Sequence, residues 1–141
     1  VEKRYKLTID GEPVDYKVWD DEISQIEKIR TVIADLASKK IKSESIVILS
    51  SKARENSVVN KIDPSGMIIG NYGENNSGCF AWFSTVQSFK GLESKIILLV
   101  DVEDYSDEKM MYVALSRARS QLIVFESKDA HKQRINLIKK R

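Results

Sequence analysis

Thr85-Val86-Gln87-Ser88-Phe89-Lys90-Gly91-Leu92-Glu93 leads into the apolar run 96–100, and Tyr112-Val113-Ala114-Leu115-Ser116-Arg117-Ala118-Arg119 leads into a second apolar run at 121–125. An unalternated apolar stretch of this kind fits a strand buried on both faces of a parallel sheet. The run 46–49, bounded by serines, is a third strand of the same type. Before it, Ile26, Ile29, Ile33 and Leu36 recur at helical spacing, with Asp20 or Asp21 available to cap the start and Lys39 and Lys40 suited to the C-terminal dipole.

The remaining segments fill in around these. Residues 5–9 and 14–19 are β-rich and flank Asp10-Gly11-Glu12-Pro13, which predicts a hairpin at a sheet edge. A short helix is expected within 52–61, a short strand at 67–69, a loop over 71–78 and a strand over 80–86 that feeds the first string. Helices are expected over 107–118, with Met111, Ala114, Leu115 and Ala118 inward, and from Asp129 to the end. Helices alternating with apolar strands predict an α/β fold, a mainly parallel sheet with helices on both faces.

The composition bounds the function. With 141 residues the chain reads as a single domain over 1–141, able to bury roughly two thirds of its unfolded surface. Its 42% apolar and 31% charged residues are an ordinary globular balance, and its single cysteine, Cys79, suits a reducing, cytoplasmic compartment and indicates no metal site. No run is long enough to span a bilayer. A net charge of +2 permits nucleic-acid contact without requiring it. The opening Val1 suggests a piece of a longer protein.

Both strings carry residues suited to a polyphosphate ligand. Gly91 lets a backbone amide approach a phosphate or sugar, Lys90 can attract an anion, and Glu93 can accept from ribose hydroxyls. Thr85, Gln87 and Ser88 supply short neutral donors of the kind that contact a nucleic-acid backbone uniformly. Ligands in open parallel sheets gather at the carboxyl ends of the strands, and the first string is expected at such an end. The plainer reading is a polar turn in which Gly91 is needed only for its dihedrals. Arg117 lies between small neighbours at a helix end, where its planar, permanently charged fork matches γ-phosphate oxygens. The plainer alternative there is a surface arginine, which is how Arg119 reads.

The two strings resemble motifs V and VI of superfamily 1 helicases of the UvrD/Rep/PcrA type, T-[LV]-H-x-[AF]-K-G-L-E and Y-V-[AG]-[LV]-[ST]-R-A-[RK]. The resemblance implies a C-terminal RecA-like domain (2A) of P-loop NTPase type, one half of an ATP-dependent DNA helicase or translocase. It implies further that Arg117 is the arginine finger, that Gly91, Glu93 and Lys90 lie at the nucleotide, and that Thr85, Gln87 and Ser88 meet single-stranded DNA. Gln87 stands where the family often has histidine.

No G-x-x-x-x-G-K-[ST] occurs in the chain, so ATP and Mg2+ are expected to be held mainly by an N-terminal RecA-like domain of the same protein, and this chain alone should not hydrolyse ATP. Leu98-Leu99-Val100-Asp101 imitates a Walker B strand, but the family's magnesium carboxylate belongs to the other domain, so Asp101 is expected to cap a strand end. Two other readings remain: a non-catalytic nucleic-acid-binding or interaction module that kept the fold, and an Upf1-like RNA helicase domain. His131 is expected to be solvated. Phe80, Trp82 and Phe83 could stack bases or fill a core.

Overall fold

The computed structural model describes residues 8–9 and 12–139. In chain order it contains β1 (Thr8–Ile9), β2 (Glu12–Pro13), β3 (Asp15–Trp19), α1 (Glu22–Ser38), β4 (Ile46–Ser50), β5 (Ile69–Asn71), β6 (Ala81–Thr85), β7 (Ser94–Val102), α2 (Glu108–Arg117), β8 (Ala118–Ser127) and α3 (Lys128–Lys139). Short 3-10 turns occupy Ser43–Ser45, Arg54–Asn56 and Val58–Lys61. None of the described helices is long and apolar enough to cross a membrane.

The apolar runs form one six-stranded sheet, ordered β3-β8-β7-β4-β6-β5, and each neighbouring pair is parallel. Alternation along the strands divides the apolar side chains between two cores. Val47, Leu49, Ile97, Leu99, Leu122 and Val124 face Met111, Ala114 and Leu115 of α2 and Ala130 of α3. Ile46, Ile48, Ile96, Leu98, Ile123 and Phe125 face Ile29, Ile33 and Leu36 of α1 with Val58 and Val59. The chain is therefore α/β with helices on both faces, the architecture expected of a RecA-like domain.

α1 begins where a capping box can form. Asp21 Oδ1 accepts from Ser24 N at 2.8 Å, and Ser24 Oγ accepts from Asp21 N at 3.1 Å. The other elements depart from expectation in a few places. The hairpin is reduced to the pairs Thr8↔Pro13 and Ile9↔Glu12, while the 14–19 run leaves it and lies parallel to β8. The remainder of the first arm, and Asp10 and Gly11, lie outside the described residues. Docking on β8 gives this run a longer ladder than the hairpin offers, and Trp19 Nε1 donates to Phe125 O at 3.0 Å. The expected helix within 52–61 is two 3-10 turns, and the strand near 67–69 starts at Ile69.

Asp101 caps a strand end, as expected. It has a positive φ of 62°, and its carboxylate accepts from Ser50 Oγ and Ser57 Oγ, both at 2.6 Å, and from Val58 N at 3.1 Å. Its own N–H donates to Gln25 Oε1 at 2.8 Å. These four bonds hold the backbone in a sparsely populated region and tie β4, β7 and α1 together.

A buried charged cluster joins β8 to α3. Glu126 is fully buried; it accepts from Arg134 Nε at 2.9 Å, Arg134 Nη2 at 2.8 Å and the Tyr105 hydroxyl at 2.6 Å. His131 Nδ1 lies 2.9 Å from the same carboxylate, so this histidine is engaged rather than simply solvated. The Arg134 guanidinium also lies 3.5 Å from the centroid of the Tyr16 ring on β3. Burial pushes the Glu126 carboxyl upward, but the hydrogen bonds from Arg134, Tyr105 and His131 outweigh it and hold the group below its usual range.

Candidate functional site

The first string crosses the sheet from one edge to the other. Thr85 ends β6 at its carboxyl end, where Val86 N continues the β4 ladder by donating to Ser50 O at 2.9 Å. The chain then winds tightly: Thr85 Oγ1 accepts from Ser88 N at 3.1 Å, Thr85 O from Phe89 N at 3.1 Å, and Phe89 O from Leu92 N at 3.0 Å. Val86 and the fully buried Phe89 anchor this crossing in the core beneath α2, leaving Gln87, Ser88 and Lys90 exposed. Because β6 and β7 both lie parallel to β4, the next strand must begin at the opposite edge. Glu93 is therefore at the amino edge of the sheet, with Lys90 and Gly91 on the segment leading to it, and only the Thr85 end of the string occupies the carboxyl-end position expected for all of it.

Gly91 has φ +83°, which favours glycine, and a Cβ built there would meet nothing within 4 Å. The dihedral reading is thus satisfied, and the residue is exposed.

The second string ends at that same amino edge. Asp107 accepts from Met110 N at 3.1 Å and starts α2. Met111, Ala114, Leu115 and Ala118 are buried, as the inward stripe predicts. Arg117 is the last helical residue and Ala118 opens β8 with no intervening loop. Ser94 and Ala118 are register partners, so Glu93 and Arg117 stand immediately before two paired strands.

Arg117 is half-buried, and its Nε is buried with no hydrogen-bond partner. Lys90, Glu93 and Arg117 form no ion pair among the described residues. A buried guanidinium N–H left without an acceptor is costly unless something else supplies one. Arg119 is exposed, as a surface arginine should be.

The two edges differ in charge. At the carboxyl edge, Lys52, Lys61 and Lys128 are each committed to a carboxylate, Glu103, Glu22 and Asp20 respectively. A cavity of about 240 Å³ there is lined by Asp101, Glu103, Asp104 and Asp107. At the amino edge, Lys40, Lys42, Lys95 and Arg119 are exposed and, like the nearby carboxylate of Glu44, enter no ion pair among the described residues; an open groove of about 530 Å³ at this edge is lined by Lys95 and Asp15 among others. An anionic ligand therefore meets unneutralised cations at the edge that holds Glu93 and Arg117.

Residues 80–125 match the UvrD-like helicase C-terminal domain. The matched stretch runs from the residue before β6 through most of β8 and contains both strings. In three dimensions the chain is similar to the C-terminal domain of a possible DNA helicase from Lactobacillus plantarum WCFS1, with a TM-score of 0.65 and 13% identity over 89% of this chain and 76% of that one. At that identity the likeness shows the shared fold. No curated protein matches the chain.

The seven residues singled out from sequence thus fall into two groups. Glu93 and Arg117 stand at the amino edge, Lys90 and Gly91 lie on the segment leading to it, and Thr85, Gln87 and Ser88 lie at the carboxyl end of β6. Among the described residues no cluster of three His, Cys, Asp or Glu side chains is arranged to hold a metal ion. Of the aromatic candidates, Phe83 is buried in the α1-side core and Trp82 is seated over Gly70, where a Cβ would come within 2.7 Å of its ring. Phe80 is exposed but lies at the amino end of β6.

Proposed function

We propose that this chain is the C-terminal RecA-like motor domain of an ATP-dependent superfamily 1 DNA helicase or translocase. The observation that carries this reading is the placement of Glu93 and Arg117 immediately before two paired strands, with Arg117 Nε buried and unpartnered. ATP lies between this amino edge and an N-terminal RecA-like domain of the same protein that carries the Walker motifs. The free Nε–H fits a phosphate oxygen, and the exposed cations around it suit a polyphosphate. Mg2+ held by the other domain neutralises phosphate charge when the nucleotide is bound.

Each residue then has a definite task. Glu93 accepts from ribose hydroxyls, and the Gly91 amide together with Lys90, both on exposed residues, meets phosphate oxygens. Arg117 is the arginine finger: its fork neutralises charge that grows on the γ-phosphoryl oxygens as the bond to the leaving diphosphate breaks. On the other edge, Thr85, Gln87 and Ser88 contact the backbone of single-stranded DNA. One rigid crossing, anchored by Phe89, links the two surfaces, so domain closure on ATP is felt at the DNA.

ATP hydrolysis by the intact protein tests the reading. Turnover is expected to rise when single-stranded DNA is added. Stimulation by RNA alone would favour the Upf1-like assignment, and no hydrolysis with either would point to a non-catalytic module.

A further inference from the structure

The crossing that displays Thr85, Gln87 and Ser88 has an aromatic neighbour that none of the sequence candidates supplies. Tyr72 follows β5, the edge strand, and its N–H donates to Phe83 O at 2.7 Å, extending the ladder toward the carboxyl edge. That bond sets Tyr72 level with the end of β6. Asn71 just before it is tied down: Arg54 Nη1 donates to Asn71 Oδ1 and Arg54 Nη2 to Ile69 O, both at 2.6 Å. The Tyr72 and Phe89 rings form a T-shaped pair, with centroids 5.0 Å apart and planes at 82°. Phe89 is fully buried and belongs to the same tight winding as Gln87 and Ser88. Tyr72 itself is 42% exposed.

A large aromatic ring fixed at its backbone and by one ring contact, yet partly open to solvent, has little conformational freedom left to lose when a flat ligand lands on it. The hydroxyls and amide of Thr85, Ser88 and Gln87 lie along the adjoining strand end. Backbone donors beside an exposed, immobilised ring are what a single strand requires: phosphate contacts for position and a π-face for one base. Phe83 and Trp82 are engaged in packing, Phe80 lies at the far end of β6, and the exposed Tyr112 is on α2, so Tyr72 is the exposed aromatic beside the carboxyl end of β6.

We infer that Tyr72 stacks one unpaired base of a single-stranded nucleic acid whose phosphates contact Thr85, Gln87 and Ser88. This rests on the nucleic-acid reading of that surface. Stacking is tolerant of base identity, so Tyr72 contributes affinity and position along the strand rather than sequence preference.

The test compares an oligothymidylate with an abasic oligonucleotide of the same length, each titrated by fluorescence anisotropy against the intact protein and its Tyr72→Ala, Tyr72→Phe and Gln87→Ala variants. Tyr72→Ala is expected to weaken oligothymidylate binding roughly 5- to 150-fold, the range that stacking of one base supplies. Tyr72→Phe keeps the affinity, and the abasic strand does not distinguish Tyr72→Ala from the unsubstituted protein. Equal weakening on both strands would mean that Tyr72 only supports Phe89, which overturns the inference. Loss with Gln87→Ala but none with Tyr72→Ala also overturns it while leaving the nucleic-acid surface in place. If neither variant changes binding, the nucleic-acid reading of this edge fails as well.

Discussion

Replacing Arg117 with alanine in the intact protein is expected to lower ATP turnover by about a thousandfold or more, the contribution typical of an arginine finger, while nucleotide affinity changes only a few-fold. The asymmetry follows from when the charge appears. In the bound nucleotide the phosphate oxygens are already shared with other cations, whereas the charge redistributed during transfer of the γ-phosphoryl group meets the guanidinium fork at its best geometry. Arg117→Lys should rescue little, because an ammonium offers one compact charge in place of a planar fork that includes the buried Nε–H. Folding should be untouched, since no carboxylate among the described residues pairs with Arg117. Steady-state hydrolysis, nucleotide titration and urea unfolding on the same preparations separate these effects. Unchanged turnover would remove the finger role from Arg117.

The largest stability effect lies elsewhere, in the cluster around Glu126. Arg134→Ala is expected to cost about 3–5 kcal/mol, because it leaves a carboxylate buried without its main counter-charge. Glu126 is 0% exposed and Arg134 8% exposed, and the lost guanidinium also covers the Tyr16 ring. Tyr105 and His131 still reach the carboxylate in that variant and soften the loss. In urea unfolding of the chain, the double substitution Glu126→Gln with Arg134→Met should be milder than Arg134→Ala alone, since no charge is then stranded.

The same carboxylate gives an acid limb. Its folded pKa lies below its ordinary 4.5, so it contributes stability above that value which is lost as pH falls toward the folded pKa. Glu126→Gln should flatten the unfolding profile below about pH 4.5. A profile unchanged by that substitution would show that other carboxylates dominate acid unfolding.

How much of this was legible from the residues differs by element. β4, β7 and the core of β8 were readable because short runs of consecutive apolar, β-branched-rich side chains suit a strand buried on both faces, and α1 because its stripe and cap agree. The amino end of β8, Ala118 to Ser120, was not readable; its small and polar residues look like a helix tail, yet register with Ser94 makes it strand. The second arm of the hairpin went to β8 because tertiary pairing outweighs local turn chemistry. His131 looked solvated because its partner, five residues back, lies across the boundary between β8 and α3.

The chemistry of the candidate site was legible, but its division was not. Nothing in the string from Thr85 to Glu93 states that its two ends stand at opposite edges; that follows only from β6 and β7 both lying parallel to β4. Tyr72 was hidden for a related reason. It sits in a glycine- and asparagine-rich stretch that reads as loop, and only the ladder bond to Phe83 O and the contact with Phe89 fix it beside the crossing.

Division of the two ligands between opposite edges is the central claim, and amide hydrogen exchange of the intact protein measures it directly. A non-hydrolysable ATP analogue should protect residues 90–93 and 116–119 at the amino edge, and an oligothymidylate should protect 72 and 85–88 at the carboxyl end of β6. Protection by the nucleotide of 50–52 and 101–104 at the acidic carboxyl edge, or of the same residues by both ligands, would contradict it.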